Sequence, residues 1–236
     1  MIRQLTSLLF ALVLIGTASA SQRTGMRQTR RMRTCSGQAE YVVNFTNFLT
    51  PRRFGRRIPK TGLVYSPLAG ASHSNRVSLL TVRSLASPQV EQIAETGQNG
   101  RFVALAEHLR DTEQGVKTVA GADGPTMPGN STTLRFTVDC EHPFITVVGM
   151  IAPSPDWLVQ VGNVNLVRRG RFISFRRGRL IAYDAGTDDG AEFTSPTDAS
   201  LDMPSEPQKN IAPLVEDDTD PFNGRFIGVY TIRRVA

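Results

Sequence analysis

From Glu40 the chain alternates. Tyr41, Val43 and Phe45 interleave with Val42, Asn44 and Thr46, the period of a strand with one buried face. The same period returns at Leu134, Phe136 and Val138, and near the C-terminus, where Phe226, Gly228, Tyr230 and Ile232 alternate with Ile227, Val229 and Thr231. Between these, residues 144–152 are nearly all apolar. Leu158, Val159, Val161, Val164 and Leu166 follow, and then Phe172, Ile173 and Phe175 sit among arginines, with Gly170 and Gly178 as turns. Leu63-Val64-Tyr65 is a shorter apolar run stopped by Ser66-Pro67. A different period appears once. Ser87 can cap, Pro88 suits a first turn, Val90, Ile93 and Ala94 share one face, and Gly97 stops the run, which predicts a helix. Phe102, Leu105, Ala106 and Leu109 repeat that spacing. Segments 50–62, 70–74 and 111–133 read as loops from their glycine and proline content. Many short strands at roughly ten-residue spacing, with one or two short helices to cover an open side of a sheet, predict an all-β fold, an antiparallel β-sandwich.

The ends of the chain follow other rules. Arg3, the apolar run Leu8 to Ile15 and Ala18-Ser19-Ala20 have the order of an export signal over residues 1–20. That apolar run is shorter than the ~20 residues a spanning helix needs. Residues 21–34 are polar and basic, the composition of a flexible arm, and residues 35–236 carry the sandwich pattern. Export makes the chain secreted and extracellular, and changes the reading of its two cysteines, Cys35 and Cys140. An even count in an oxidising compartment predicts one disulfide, the alternative being two buried thiols. Asn44-Phe45-Thr46 and Asn130-Ser131-Thr132 are glycosylation acceptors, the second in a polar loop.

The formal net charge is +6, and its distribution is uneven. Arg52, Arg53, Arg56 and Arg57 belong to a basic block that runs over residues 23–60, and Arg168, Arg169, Arg171, Arg176, Arg177 and Arg179 form a second. After Tyr183 the chain turns acidic, with Lys209 the one base before Arg225. The two blocks are candidates for contact with anionic glycans or anionic surfaces. No recognition helix or aromatic platform accompanies them, which argues against nucleic acid.

Two stretches concentrate the chemistry. Residues 146–152 run into Pro153-Ser154-Pro155-Asp156-Trp157, which presents Asp156 where a strand leaves the core. Asp184-Ala185-Gly186-Thr187-Asp188-Asp189-Gly190 then places three carboxylates on a glycine-containing loop. Oxygen donors from two loops at one end of a β-fold are what a hard cation such as Ca²⁺ requires. The acidic loop does not follow the helix-loop-helix calcium template, because Gly186 stands where a ligand belongs and Gly190 comes one position late. Asp156 can alternatively cap a turn through backbone amides. No Gly-x-Ser-x-Gly or His-Glu-x-x-His motif is present, and His73, His108 and His142 lack ligand spacing. An Asp156/Asp184 pair for glycoside hydrolysis is the enzymatic alternative, and a purely structural secreted domain is another.

Several of these stretches together resemble a known family. Ala152-Pro153-Ser154-Pro155-Asp156-Trp157 and, 28 positions after Asp156, Asp184-Ala185-Gly186-Thr187-Asp188 with Gly190 and Phe193, are similar to the spondin N-terminal (F-spondin) domain. Tyr41-Val42-Val43-Asn44-Phe45, residues 66–73 and Ala94-Glu95-Thr96-Gly97 match as well. The resemblance covers about Cys35 to Val235. It implies a β-sandwich like that of a C2 domain, with one Ca²⁺ held by Asp156 and Asp184 at a loop end. A third carboxylate of some members falls on Thr137 here, so Asp139 or Asp188, or backbone carbonyls and water, would complete the set. The implied role is a secreted adhesion or matrix module that binds a receptor or matrix protein.

Overall fold

The computed structural model describes residues 34–190, 192–193, 203–216 and 220–236. The export signal at 1–20 and, Thr34 apart, the basic arm at 21–34 lie outside them. The strands are β1 (Gln38–Asn47), β2 (Val64–Tyr65), β3 (Ala69–His73), β4 (Val116–Gly121), β5 (Ser131–Asp139), β6 (Phe144–Ala152) and β7 (Trp157–Asn165). They continue with β8 (Val167–Arg168), β9 (Arg171–Phe172), β10 (Phe175–Leu180), β11 (Ala182–Asp184), β12 (Ala212–Pro213) and β13 (Gly228–Arg234). The helices are α1 (Pro51–Phe54), α2 (Pro88–Thr96) and α3 (Gly100–Asp111).

Two sheets face each other. The smaller has the order β10-β13-β1-β5 and the larger β12-β11-β7-β6-β3-β4, with β2 also paired to β6. Every pairing is antiparallel, and β8–β9 is a separate hairpin. The alternation read in the sequence is the inward face of the smaller sheet: Tyr41, Val43, Phe45, Leu134, Phe136, Val138 and Ile232 are all buried. They meet Ile145, Val147, Ile151, Trp157 and Val159 of the larger sheet in one core. The continuous apolar run of β6 has a different cause. Ile145, Val147 and Ile151 face the sandwich core, while Val148 joins a second core with Val90, Ile93 and Phe102 of α2 and α3. A strand covered on both faces is apolar at successive positions rather than alternate ones.

The helix signals hold. The Ser87 side chain accepts from the Val90 amide, Pro88 opens α2, and Gly97 ends it in the left-handed conformation, donating to the Ile93 carbonyl. Two segments read as loops are strands instead. β3 is Ala-Gly-Ala-Ser-His, without a large apolar residue, yet all five positions are buried between β6 and β4. Its small residues answer to close approach: a Cβ on Gly70 would lie 2.4 Å from the Thr146 carbonyl oxygen. β4 lies inside the segment read as the long connection 111–133 and forms the half-exposed edge of the larger sheet. Leu79 and Leu80 plug the helical layer from a loop.

Candidate metal centre

The sandwich has two loop ends, and β6 measures the distance between them. Cys35, Asp139 and Cys140 lie at the end where β6 begins, Asp156 at the end where it finishes. Nine residues at ~3.3 Å each put the ends roughly 27–30 Å apart.

At the far end of β6, Ser154 anchors the turn by accepting from the Trp157 amide at 3.0 Å. Trp157 is buried and packs edge-on against Phe193 and Phe222. That packing pins the backbone of Asp156, which has no solvent exposure. One carboxylate oxygen, Oδ2, accepts from the Thr187 amide at 2.8 Å, the Asp188 amide at 3.1 Å and the Thr187 hydroxyl at 3.3 Å. The other, Oδ1, is buried and has no hydrogen-bond partner among the described residues. An ionised oxygen left so is costly unless a proton or a cation meets it.

Asp184 arrives beside it because β11 pairs with β7, placing Asp184 opposite Trp157. Its Oδ1 accepts from the Gly186 amide at 2.7 Å. The loop then bends through Gly186, whose φ of 72° suits glycine and whose Cβ would lie 2.4 Å from the Lys209 carbonyl oxygen. Burial, and then the Asp184 carboxylate, push the Asp156 pKa up to about 7; the Thr187 and Asp188 amides oppose the rise and the Asp188 carboxylate adds to it. The pocket thus has too much negative charge for its surroundings.

The other aspartates differ. Asp188 uses both oxygens on backbone, accepting from Gly190 at 2.6 Å and Met203 at 2.9 Å, so it braces the loop beside the pair. Asp189 pairs with Lys209 and accepts from Ser205, and both hold its pKa down. Asp139 is not brought to this end. It sits opposite Gln38 in the β1–β5 ladder, accepts from the Glu141 and His142 amides and contacts the His142 ring and Lys117. Its place at the opposite end of β6 removes it, and Thr137 with it, from any ligand set containing Asp156. Among the described residues no three His, Cys, Asp or Glu side chains form a metal-holding group. The residues nevertheless fit a cation in kind: two carboxylates, one with an unmatched buried oxygen. Neutral oxygens would complete the six to eight that Ca²⁺ takes.

The cysteines are joined, with Cα atoms 5.7 Å apart across 105 positions. The candidate arginines do not converge. Arg168, Arg169 and Arg171 are exposed on the β8–β9 hairpin at the disulfide end, whose neighbour Ile173 accepts from the Tyr41 hydroxyl. Arg52 and Arg57 are exposed at the other end, in and after α1, with Arg56 in the same turn. Arg53 serves the fold: its guanidinium lies 4.2 Å from the Phe226 ring centroid and donates to the Phe226 carbonyl. His73 is a satisfied core residue, with its ring nitrogens 2.9 Å from the Ser74 carbonyl and 2.8 Å from the Thr146 hydroxyl. Lys209, the amides of Thr187 and Asp188, and Phe222 were not singled out by sequence reading. Only the isolation of Lys209 in an acidic tract pointed to any of them.

A sandwich with paired aspartates at one loop end and helices over its larger sheet defines a class of small β-modules. The model of the Spondin_N family matches residues 39–226, and the chain belongs to that family. It is 29% identical to human Spondin-2 over 171 residues, 71% of this chain and 52% of that one. It is 30% identical to chicken and human Spondin-1 over 215 residues, 85% of this chain and 26% of each of those. The chain therefore spans about half the length of Spondin-2 and a quarter of Spondin-1. Spondin homologues are secreted proteins of the extracellular matrix, and this chain is placed with them outside the cell. Among the described residues no helix is long and apolar enough to cross a membrane.

Proposed function

We propose that this chain is a Ca²⁺-binding adhesion module of the extracellular matrix, in which the ion rests on Asp156 and Asp184 and fixes the loops that carry them. The observation that carries this reading is the buried Oδ1 of Asp156, which has no partner among the described residues, beside a second carboxylate. Membership in the Spondin_N family supports it. When bound, the ion supplies charge neutralisation and oxygen coordination, and no bond is made or broken. The chain's own residues do the rest: Thr187 and Asp188 hold one oxygen of Asp156, Gly186 turns the loop, and Trp157 keeps the strand end in place. The partner would be a receptor or matrix protein that meets the loops so ordered. The hydrolase reading is weaker, because Asp156 has no solvent exposure through which to reach a sugar.

Metal analysis of the purified chain and thermal unfolding with and without EGTA test the proposal. A ligand that binds only the native state stabilises it by about 2.7 kcal/mol at a hundred times its Kd, so saturating Ca²⁺ should raise Tm by roughly 5–10 °C in a domain of this size. Asp184→Asn should abolish the rise. Identical melting curves for both proteins, with and without calcium, would remove the ion from the account.

A further inference from the structure

We propose that the outer face of the four-stranded sheet binds a chain of sulfated polysaccharide. The register of β10, β13, β1 and β5 defines this face. In one cross-strand row Arg233 and Arg135 flank Val42, in the next Arg177 stands beside Thr231, Asn44 and Thr133, and in the third Arg179 shares the row with Thr46 and Ser131. Their strand neighbours Leu134, Phe136, Leu180 and Ile232 are buried in the core, so these side chains share the outer surface. All four arginines are exposed, and none forms an ion pair among the described residues. Glu40, at the sheet end, is the acidic position nearest in the same alternation; the Asp139 carboxylate beyond it is occupied by Lys117 and His142.

The chemistry of the face selects its partner. It is a sheet surface, not a cleft, and its arginines sit on three strands, β10, β13 and β5, that span the width of the four-stranded sheet, roughly 14 Å at ~4.8 Å per strand. A single small anion cannot reach them all, and one exposed ion pair contributes little. A polymer with repeated sulfates meets several at once and gains by effective concentration and counterion release. Arginine also presents a planar fork to an oxyanion. Between the arginines lie hydroxyls and an amide linked across the strands, Asn44 to Thr133 at 3.2 Å and Thr46 to Ser131 at 2.8 Å; such neutral groups suit sugar hydroxyls. The face offers a lipid surface little to insert: of its large exposed apolar side chains, Phe175 lies under the Arg233 guanidinium, 5.3 Å from the ring centroid, and Val235 stands at the sheet end. Of the basic blocks singled out in the sequence, the second contributes Arg177 and Arg179 to this face, while Arg135 and Arg233 belong to neither.

This inference deepens the adhesion reading and does not use the cation. The test measures binding of heparin to the full chain by salt elution and titration, with R135Q/R177Q/R233Q as the variant. The variant should bind about tenfold more weakly and show a shallower salt dependence, with Tm unchanged. A control, R52Q/R57Q/R168Q/R171Q, should bind within about twofold of the parent. Should the triple variant not fold, R177Q and R233Q singly should each weaken binding by about two- to threefold. Desulfated heparin should not bind, and EGTA or Asp184→Asn should leave heparin binding intact, which separates this inference from the calcium reading. Parent-like binding by the arginine variants, loss of binding in the control, or equal binding of desulfated heparin, duplex DNA or phosphatidylserine vesicles would overturn it.

Discussion

Each end of the sandwich is tied by an aspartate, and the two aspartates are treated in opposite ways. Asp139 is partly buried, which alone would raise its pKa, but the amides of Glu141 and His142 and the His142 ring outweigh burial and hold the group low. Asp156 is deeper, and its donors all converge on one oxygen, so burial and Asp184 win and the group is pushed up to about 7. The first end is closed by what the chain already carries, a disulfide and a charge-matched carboxylate. The second is closed only in part, with one buried oxygen that has no partner among the described residues. On the proposed reading, a site prepared for an external ion differs from a structural carboxylate in this mismatch, not in the number of acidic residues nearby.

The largest way to break the contrast is at the covalent end. Replacing Cys35 and Cys140 together by serine should cost about 2–5 kcal/mol in a denaturant titration, because the disulfide closes a loop of 105 positions; Ca²⁺ should still stabilise that variant. Next comes the ionic end. Asp156→Asn should lose the calcium-dependent rise in Tm and, in EGTA, match or exceed the parent in stability, since it removes a buried like charge on the order of 1–3 kcal/mol. A loss of several kcal/mol for this variant in EGTA would instead make Asp156 a structural carboxylate like Asp139. Asp139→Ala should cost about 1–3 kcal/mol with or without calcium, because it strands the donors of the 141–142 turn.

The smallest effect concerns pH and separates the ends by sign. Asp156 binds its proton more tightly in the native protein than in the unfolded chain. Without calcium its contribution to stability is therefore greatest below the ordinary carboxylate pKa, near 4, and falls as pH rises towards 7, by at most about 1.4 kcal/mol per unit. Bound calcium should flatten or reverse that fall by holding the ionised form. Asp139, with its pKa lowered, stabilises the fold above the ordinary value and loses that contribution as pH falls through its native pKa. Urea midpoints at pH 5 and 7, with and without EGTA, read the first trend, midpoints at pH 5 and 3 read the second, and Asp156→Asn should erase the first.

The fold was legible wherever one face alone is buried. Tyr41, Val43 and Phe45 announce β1 because their neighbours face solvent, and Ser87, Pro88 and Gly97 mark α2 because caps are local chemistry. β3 was not legible, since Ala69 to His73 are selected by the close passage of β6, a neighbour some 75 positions away. At the site, Asp156 and Asp184 stood out because proline turns and glycine-containing loops expose carboxylates to attention. Asp139 was misplaced because strand alternation fixes which face a residue occupies but not at which end of the sandwich its strand finishes. The saturation of Asp188 by Gly190 and Met203 depends on a loop return that no local pattern contains, and of the outer-face arginines only Arg177 and Arg179 stood together in a basic block, Arg135 and Arg233 lying on strands far away in the chain.

One consequence follows from β6. Its inward residues belong to the sandwich core and Val148 to the core under the helices, while its two tips lie next to the disulfide and to Asp156. No layer can detach without uncovering this strand, so its amides should exchange with deuterium only through global opening, as the slowest in the molecule. Calcium and the disulfide should then slow exchange of the same amides, although their sites never touch.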